Sequence, residues 1–176
     1  MKILAFAASN STKSINKKLV TYAVSLLDGV GTEVLDLNDY PLPLFSEDQE
    51  AAIGHPASAK DFLSKIAESD AVIVSFAEHN GVYTVAYKNL FDWCSRIQKK
   101  IFQNKPLVLL STSPGVRGGG SVLAVAVASA PFFGGEVKAS LAVPNFYDNF
   151  DVDSQSLKAG DLQVALAAAM RRLLVS

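Results

Sequence analysis

A short apolar segment that leads directly into a polar turn and then a helix constrains this chain more than any other feature. Residues 3–8 are all apolar and contain no glycine or proline, a pattern typical of a strand buried on both faces. From Ile15 onward apolar residues recur at helical spacing, which predicts a helix over residues 14–28. The turn between them carries small hydroxyl and amide side chains: Ser9, Asn10, Ser11, Thr12 and Ser14.

This strand–turn–helix arrangement has the chemistry of an anion site. The first backbone N–H groups of a helix have no partner within the helix, and the helix dipole places partial positive charge at the same end. The hydroxyls of the turn could close around phosphate oxygens. On this segment alone an alternative stays open, in which the hydroxyls simply cap the helix.

Strand and helix patterns alternate along the rest of the chain. Five strands separated by helices predict an α/β fold with a parallel sheet, right-handed crossovers and helices on both faces. Residues 38–56 show no clear period, and a loop of that length is usually functional or mobile. We expect residues 1–176 to form one domain. The further strands are predicted at residues 32–37, 71–76, 107–110 and 136–141, and the further helices at residues 57–68, 84–98, 121–130 and 159–174.

Composition argues against several classes of function. The formal net charge is −1 and no basic stretch is long enough to indicate nucleic-acid binding. The longest apolar runs are the length of strands, far from the roughly 20 residues of a membrane span. Cys94 is the single cysteine, so an internal disulfide is impossible and a reducing cytoplasm is expected. With only two histidines besides, a dedicated metal site is not expected.

Three of the predicted strands, at residues 3–8, 71–76 and 107–110, have the apolar runs of buried strands. The loops that follow these three strands predict a ligand site. In a parallel sheet the carboxyl ends of the strands share one edge, and ligands bind there where the winding direction reverses. The first loop has neither the glycines of a dinucleotide-binding turn nor the G-x-x-x-x-G-K-[ST] pattern of a nucleoside-triphosphatase. It also lacks the acidic residues with which a response regulator holds magnesium. A hydroxyl-rich turn indicates instead a single phosphate bound by N–H and O–H groups, as in FMN sites.

Motifs in these loops resemble those of the NADPH-dependent FMN reductase family, the flavodoxin-like quinone, chromate and azo-dye reductases. The family pattern G-S-x-R-x-x-S-x-N corresponds to residues 8–16, which read A-S-N-S-T-K-S-I-N. The pattern P-E-Y-N-G-S-x-P-G-x-L-K-N-A-I-D-W corresponds to residues 77–93, A-E-H-N-G-V-Y-T-V-A-Y-K-N-L-F-D-W. The pattern S-x-S-P-G-x-x-G-G corresponds to residues 111–119, S-T-S-P-G-V-R-G-G. The likeness extends over about residues 1–135 in the family's order.

One departure from the family affects the phosphate site directly. Ser11 stands where the family has an arginine, which removes a fixed positive charge. Lys13 could partly substitute, although a flexible ammonium does not reproduce a planar guanidinium. In the middle motif, Ala77 and His79 replace the family's proline and tyrosine.

The resemblance implies a flavodoxin-like three-layer sandwich with a five-stranded sheet in the order 2-1-3-4-5. It also implies that FMN lies in the crevice between the three loops. The first loop, within residues 8–16, would hold the phosphate. The middle loop, which begins at residue 77, would border the isoalloxazine ring. The glycine-rich loop, within residues 111–119, would cover the opposite side of the crevice. The implied binding residues are Ser9, Ser11, Thr12, Ser14, Asn16, Ala77, Glu78, His79, Asn80, Ser113, Gly115 and Gly118.

The function implied by the family is the transfer of a hydride from NADPH or NADH to bound FMN and then to an acceptor. The acceptor could be a quinone, an azo compound or a metal oxyanion, and the assembly a homodimer or homotetramer. Because the flavin carries the chemistry, no catalytic side chain is required. For His79 a role as proton donor and a role as a packing neighbour both stay open. Two other classes also stay open: an FMN-binding electron carrier and a flavin-free regulatory or interaction module.

Overall fold

The computed structural model describes residues 1–174, and its main sheet has five parallel strands that lie side by side in the order Gly31–Leu35, Lys2–Ala8, Ala71–Phe76, Lys105–Thr112 and Gly135–Val143. This order confirms the predicted arrangement 2-1-3-4-5 of the main strands. In chain order the elements are β1 (Lys2–Ala8), α1 (Ile15–Ser25), β2 (Gly31–Leu35), α2 (Glu47–Ile53), α3 (Ala57–Ala67), β3 (Ala71–Phe76), β4 (Glu78–His79), β5 (Val82–Tyr83), α4 (Val85–Ile97), β6 (Lys105–Thr112), α5 (Gly120–Ser129), β7 (Gly135–Val143), α6 (Phe146–Asn149), β8 (Phe150–Asp151), β9 (Ser156–Leu157) and α7 (Asp161–Arg171).

The two faces of the sheet bury separate apolar clusters. Successive residues of a strand point to opposite faces, and β1 shows the consequence directly. Leu4 and Phe6 pack in a cluster with buried residues of α3, α4 and α5, among them Trp93. Ile3 and Ala5 pack on the other face against α1 and α7. Strand β1 is therefore buried on both sides, as its unbroken apolar run predicts.

Within residues 38–56 the structure contains a helix that the sequence analysis missed. Helix α2 begins after Ser46, whose Oγ accepts a hydrogen bond from the N–H of Gln49 at 3.0 Å. It ends at Gly54, which has a φ of 68°. No residue of α2 is buried, so the helix carries no apolar stripe to give it a detectable period.

The other differences lie at the ends of elements. Strand β6 spans Lys105–Thr112 and so extends the predicted residues 107–110 by two residues at each end. Residues 78–83 form a short hairpin of β4 and β5 where an irregular loop was expected. Helices α1 and α7 are shorter than the predicted residues 14–28 and 159–174. Among the helices of residues 1–174, none is both long and apolar enough to cross a membrane.

Candidate functional site

The three loops meet at the carboxyl edge of the sheet around a cavity of about 240 Å³. We call this cavity the candidate flavin site. Eight of the twelve predicted binding residues line it: Ser9, Ser11, Ser14, Asn16, Ala77, Glu78, His79 and Ser113. The other four lie outside its lining: Thr12, Asn80, Gly115 and Gly118.

The first loop is ordered by its own hydroxyl groups. The Ser9 Oγ accepts a hydrogen bond from the N–H of Ser11 at 3.2 Å, and the Ser11 Oγ accepts one from the N–H of Lys13 at 3.4 Å. The Ser14 Oγ accepts from the N–H of Lys17 at 3.2 Å and so caps α1. Ser14 therefore caps the helix, as the alternative predicts, and it also lines the cavity. Phosphate binding by this loop stays a prediction.

Asn16 lies beneath the cavity and fastens α1 to the ends of two strands. Its Oδ1 accepts hydrogen bonds from the Ser75 Oγ at 2.8 Å and from the N–H of Thr112 at 3.0 Å. Its Nδ2 donates to the carbonyl of Thr112 at 3.1 Å, and the residue is only 2% exposed. One Nδ2 hydrogen is left for other partners. The direct phosphate contact that we predicted for Asn16 depends on that single donor.

The middle loop is a two-residue hairpin whose tip is Asn80-Gly81. Both tip residues have positive φ, 53° and 84°, the geometry that favours Asn-Gly between paired strands. Glu78 and His79 both line the cavity, and they differ in their contacts. The Glu78 Oε2 accepts a hydrogen bond from the N–H of Val122 in the first turn of α5 at 2.9 Å. His79 is exposed and faces the cavity, whereas Asn80 lies at the hairpin tip.

The glycine-rich loop is shaped by close packing against the end of β7. Gly118 has a φ of 57°, and a Cβ there would lie 2.7 Å from the carbonyl carbon and oxygen of Val143. The Ser111 Oγ donates a hydrogen bond to the Gly118 carbonyl at 2.7 Å. Gly118 is therefore required by the fold of the loop itself. Gly115 is exposed, and its carbonyl accepts a hydrogen bond from the N–H of Asn145 at 3.0 Å.

Tyr147 lines the same cavity and was missed by the sequence analysis. The segment before it is tied to the third loop, because the N–H of Phe146 donates to the Ser113 carbonyl at 3.1 Å. That bond brings α6 to the rim, where the Tyr147 ring is 64% exposed. Nothing in the local sequence marks this tyrosine, since its position depends on hydrogen bonds between loops about thirty residues apart.

The groups that face the candidate flavin site suit a phosphate monoester. Three hydroxyl residues of the first loop, Ser9, Ser11 and Ser14, line it together with Lys13, which is the only lysine or arginine among the described residues of the lining. Lys17, one turn further along α1, pairs with Asp36 and lowers the pKa of that carboxyl. The Glu78 carboxylate is engaged by α5. Among residues 1–174, no group of three His, Cys, Asp or Glu side chains is placed to hold a metal ion.

Comparison of the sequence with known proteins identifies a family that this chain matches. The sequence model of the family described as NADPH-dependent FMN reductase matches residues 1–148. An NADPH:quinone oxidoreductase of Arabidopsis thaliana is 30% identical over 125 residues, covering 69% of this chain and 62% of the relative. An NAD(P)H-dependent FMN reductase of Pseudomonas aeruginosa is 30% identical over 116 residues, covering 65% and 61%. The chain thus spans about three-fifths of the length of these two curated relatives.

Two solved structures show the same fold. The flavoenzyme NAD(P)H:acceptor oxidoreductase FerB from Paracoccus denitrificans superposes with a TM-score of 0.79 at 24% identity, covering 98% of this chain and 97% of that chain. An azoreductase from Bacillus anthracis superposes with a TM-score of 0.65 at 18% identity, covering 99% and 100%. At these identities the structures support a flavodoxin-like α/β fold and nothing finer.

Proposed function

The chain belongs to the NADPH-dependent FMN reductase family, and on that premise we propose that it is an FMN-dependent NAD(P)H oxidoreductase. Its acceptor is a quinone, an azo compound or a metal oxyanion. The observation that carries the proposal is the convergence of eight predicted binding residues on one cavity whose lining carries hydroxyl groups and one lysine. That the whole chain, residues 1–176, is one FMN-binding domain is part of the same proposal.

The first loop binds the phosphate of FMN in this proposal. The hydroxyls of Ser9 and Ser11 lie in the lining, so they can donate to phosphate oxygens, and Lys13 supplies the positive charge. The backbone of the loop is held by the Ser9 and Ser11 hydrogen bonds, so little ordering accompanies binding. Lys13 therefore takes over part of the role of the family arginine that Ser11 replaces.

The second and third loops border the isoalloxazine ring. When bound, FMN would supply the chemistry of the family, the passage of a hydride from NAD(P)H to an acceptor; Ser9, Ser11 and Lys13 would hold its phosphate. The chain's own contribution is to hold the crevice open on one side, where His79 is exposed. Glu78 keeps the hairpin in place by binding the first turn of α5. In this reading His79 acts as a polar neighbour of the ring.

A homodimer or homotetramer is consistent with apolar surface beyond the site. Val125 on α5 is 42% exposed, and Phe132 shortly after it is 83% exposed. Contacts between subunits bury exposed apolar side chains where these form a contiguous patch. The oligomeric state is measured by sedimentation of the purified chain.

Steady-state oxidation of NADPH and of NADH by the purified protein tests the proposed function. With added FMN and ferricyanide as a general electron acceptor, we expect turnover that depends on FMN. Binding of FMN without any turnover would instead identify an electron carrier. A colourless protein that leaves added FMN unbound would identify a flavin-free regulatory or interaction module.

A further inference from the structure

Tyr147 brings a fourth segment of the chain to the candidate flavin site. The other lining residues lie within residues 9–16, 77–79 and 112–114, at the ends of β1, β3 and β6, whereas Tyr147 lies on α6, after β7. Two strands separate β7 from β1 in the sheet. Tyr147 therefore reaches the cavity from the β7 side, across the sheet from the first loop.

Backbone hydrogen bonds fix the start of α6 against the glycine-rich loop. The N–H of Asn145 donates to the Gly115 carbonyl at 3.0 Å, and the N–H of Phe146 donates to the Ser113 carbonyl at 3.1 Å. Asn145 has a φ of 46°, a left-handed conformation that asparagine tolerates and that turns the chain from β7 into α6. The backbone next to Tyr147 is thus bonded to the loop whose Ser113 lines the same cavity.

The neighbouring Phe146 holds Tyr147 on the face of the sheet that α1 covers. Phe146 is fully buried, and its ring stacks on the Phe150 ring at 4.7 Å. Tyr22 of α1 meets the Phe150 ring edge-on at 6.2 Å, within the same apolar cluster. The Tyr147 ring meets the Phe146 ring edge-on at 5.5 Å and is itself 64% exposed. Most of the Tyr147 surface is therefore available to a ligand near the beginning of α1.

The size and chemistry of the cavity suit a hydrogen bond from Tyr147 to a phosphate. A volume of about 240 Å³ is below the range of about 300–1,000 Å³ that whole small-molecule sites occupy, so a group that fills it lies close to all of its lining. A phosphate monoester presents three strong acceptor oxygens. A tyrosine hydroxyl can donate to such an oxygen, and hydrogen bonds to charged acceptors are roughly twice as strong as neutral ones.

We propose that Tyr147 binds the phosphate of FMN through its hydroxyl, on the side of the cavity away from the first loop. The inference rests on the proposed function, because it assigns one more contact to the same ligand. It adds a donor from outside the three sequence motifs to those of Ser9, Ser11 and Lys13. The phosphate is then held from two sides, which fixes its position more closely than the first loop would alone.

Removal of the hydroxyl alone tests this contact. Tyr147→Phe keeps the ring and its packing on Phe146, and it should raise the Kd for FMN about tenfold, the fold-change expected for one lost hydrogen bond to a charged oxygen. The Kd for riboflavin, which has the same ring system and no phosphate, should not change. Both Kd values are measured by quenching of flavin fluorescence, with no NAD(P)H present.

Tyr22→Phe is the matched control, because Tyr22 does not line the cavity and its hydroxyl accepts a hydrogen bond from the Gln163 Nε2 at 3.2 Å. It should leave both Kd values unchanged. The inference is wrong if Tyr147→Phe binds FMN as tightly as the unchanged chain. It is also wrong if Tyr147→Phe weakens FMN and riboflavin equally, since the hydroxyl would then act on the ring or on the loop.

Tyr147→Ala separates the hydroxyl from the ring. If Tyr147→Ala weakened FMN binding and Tyr147→Phe did not, the ring would make a packing contact and the inference would be wrong. The unchanged chain reports on the proposed function separately. FMN binding that Tyr147→Phe leaves unaltered overturns the inference alone, whereas a chain that binds no FMN overturns the proposed function and the inference together.

Discussion

The carboxylate of Glu78 accepts a hydrogen bond from the backbone N–H of Val122 at 2.9 Å, across 44 positions of sequence. Val122 lies in the first turn of α5, where N–H groups have no partner within the helix and the dipole favours negative charge. Gly119, the residue before α5, has no side chain with which to cap it. Glu78 therefore caps α5 from a distance and connects the middle loop to the glycine-rich loop.

Replacing Glu78 tests this connection. We expect Glu78→Ala to lower the free energy of unfolding by about 1–2 kcal/mol, the usual cost of a lost helix cap. Glu78→Gln keeps an oxygen that can accept the Val122 N–H and should lose clearly less. Urea unfolding without flavin provides the measurement. Equal losses in the two variants would show that charge, and not the hydrogen bond, accounts for the effect.

Gly118 is the glycine for which the structure sets the strictest requirement. An alanine there would need a φ of 57° and would place its Cβ 2.7 Å from backbone atoms of Val143. Gly118→Ala should lower the free energy of unfolding by about 2 kcal/mol or more. Gly115→Ala is the control, because its Cβ would meet only the Ser113 Oγ at 3.9 Å. A Gly118→Ala protein as stable as the control would contradict the packing described here.

The sequence predicted the sheet well because its central strands carry an unambiguous pattern. The strand at residues 71–76 was predicted with the bounds that the structure has, since an apolar run lies there between Asp70 and a loop. Helix α2 was missed because it buries nothing, although Ser46, Gln49 and Gly54 are a recognisable start and stop. The hairpin at residues 78–83 was missed as well, although Asn80-Gly81 is a standard hairpin signal.

Within the candidate flavin site, the sequence indicated which loops meet but not what each side chain binds. The motif position of Asn16 predicts a phosphate contact, yet its amide is mostly used by Ser75 and Thr112. Gly118 was predicted beside the cofactor, and the structure places it against β7. These roles depend on contacts between distant segments, which a pattern within one loop does not contain. Direct contacts of the twelve residues with FMN stay predictions.

Lys13 should contribute to the affinity for FMN through its charge. We expect Lys13→Gln to raise the Kd for FMN roughly fivefold, a loss of about 1 kcal/mol for an exposed charge-assisted contact. The Kd for riboflavin, which lacks the phosphate, should not change. Lys18→Gln alters a lysine of α1 outside the cavity lining and serves as the control. If Lys13→Gln weakened both flavins equally, Lys13 would act on the loop and not on the phosphate.

Cys94 should be unreactive in the folded protein. Its side chain is fully buried, and burial raises the pKa of the thiol to about 12. At pH 8 only about one folded molecule in ten thousand would carry the thiolate. A disulfide reagent should therefore label one thiol in guanidinium and almost none in buffer. Because the unfolded thiol loses its proton near pH 9, the folded state should lose stability as the pH rises from 9 to 12. Cys94 lies on α4 with its Sγ 3.7 Å from the carbonyl of Ala59 on α3. Rapid labelling in buffer would therefore show that α3 and α4 separate readily.

The central claim is that the loops at the carboxyl edge of the sheet form a site for FMN, and a flavin titration tests it most directly. The purified chain is titrated with FMN and, separately, with FAD, and binding is followed by the quenching of flavin fluorescence. The first loop offers hydroxyls and one ammonium for a single terminal phosphate and no second glycine turn for a pyrophosphate. We expect one FMN to bind per chain, with FAD binding no more tightly. Clearly tighter binding of FAD, or no binding of either flavin, would contradict the account.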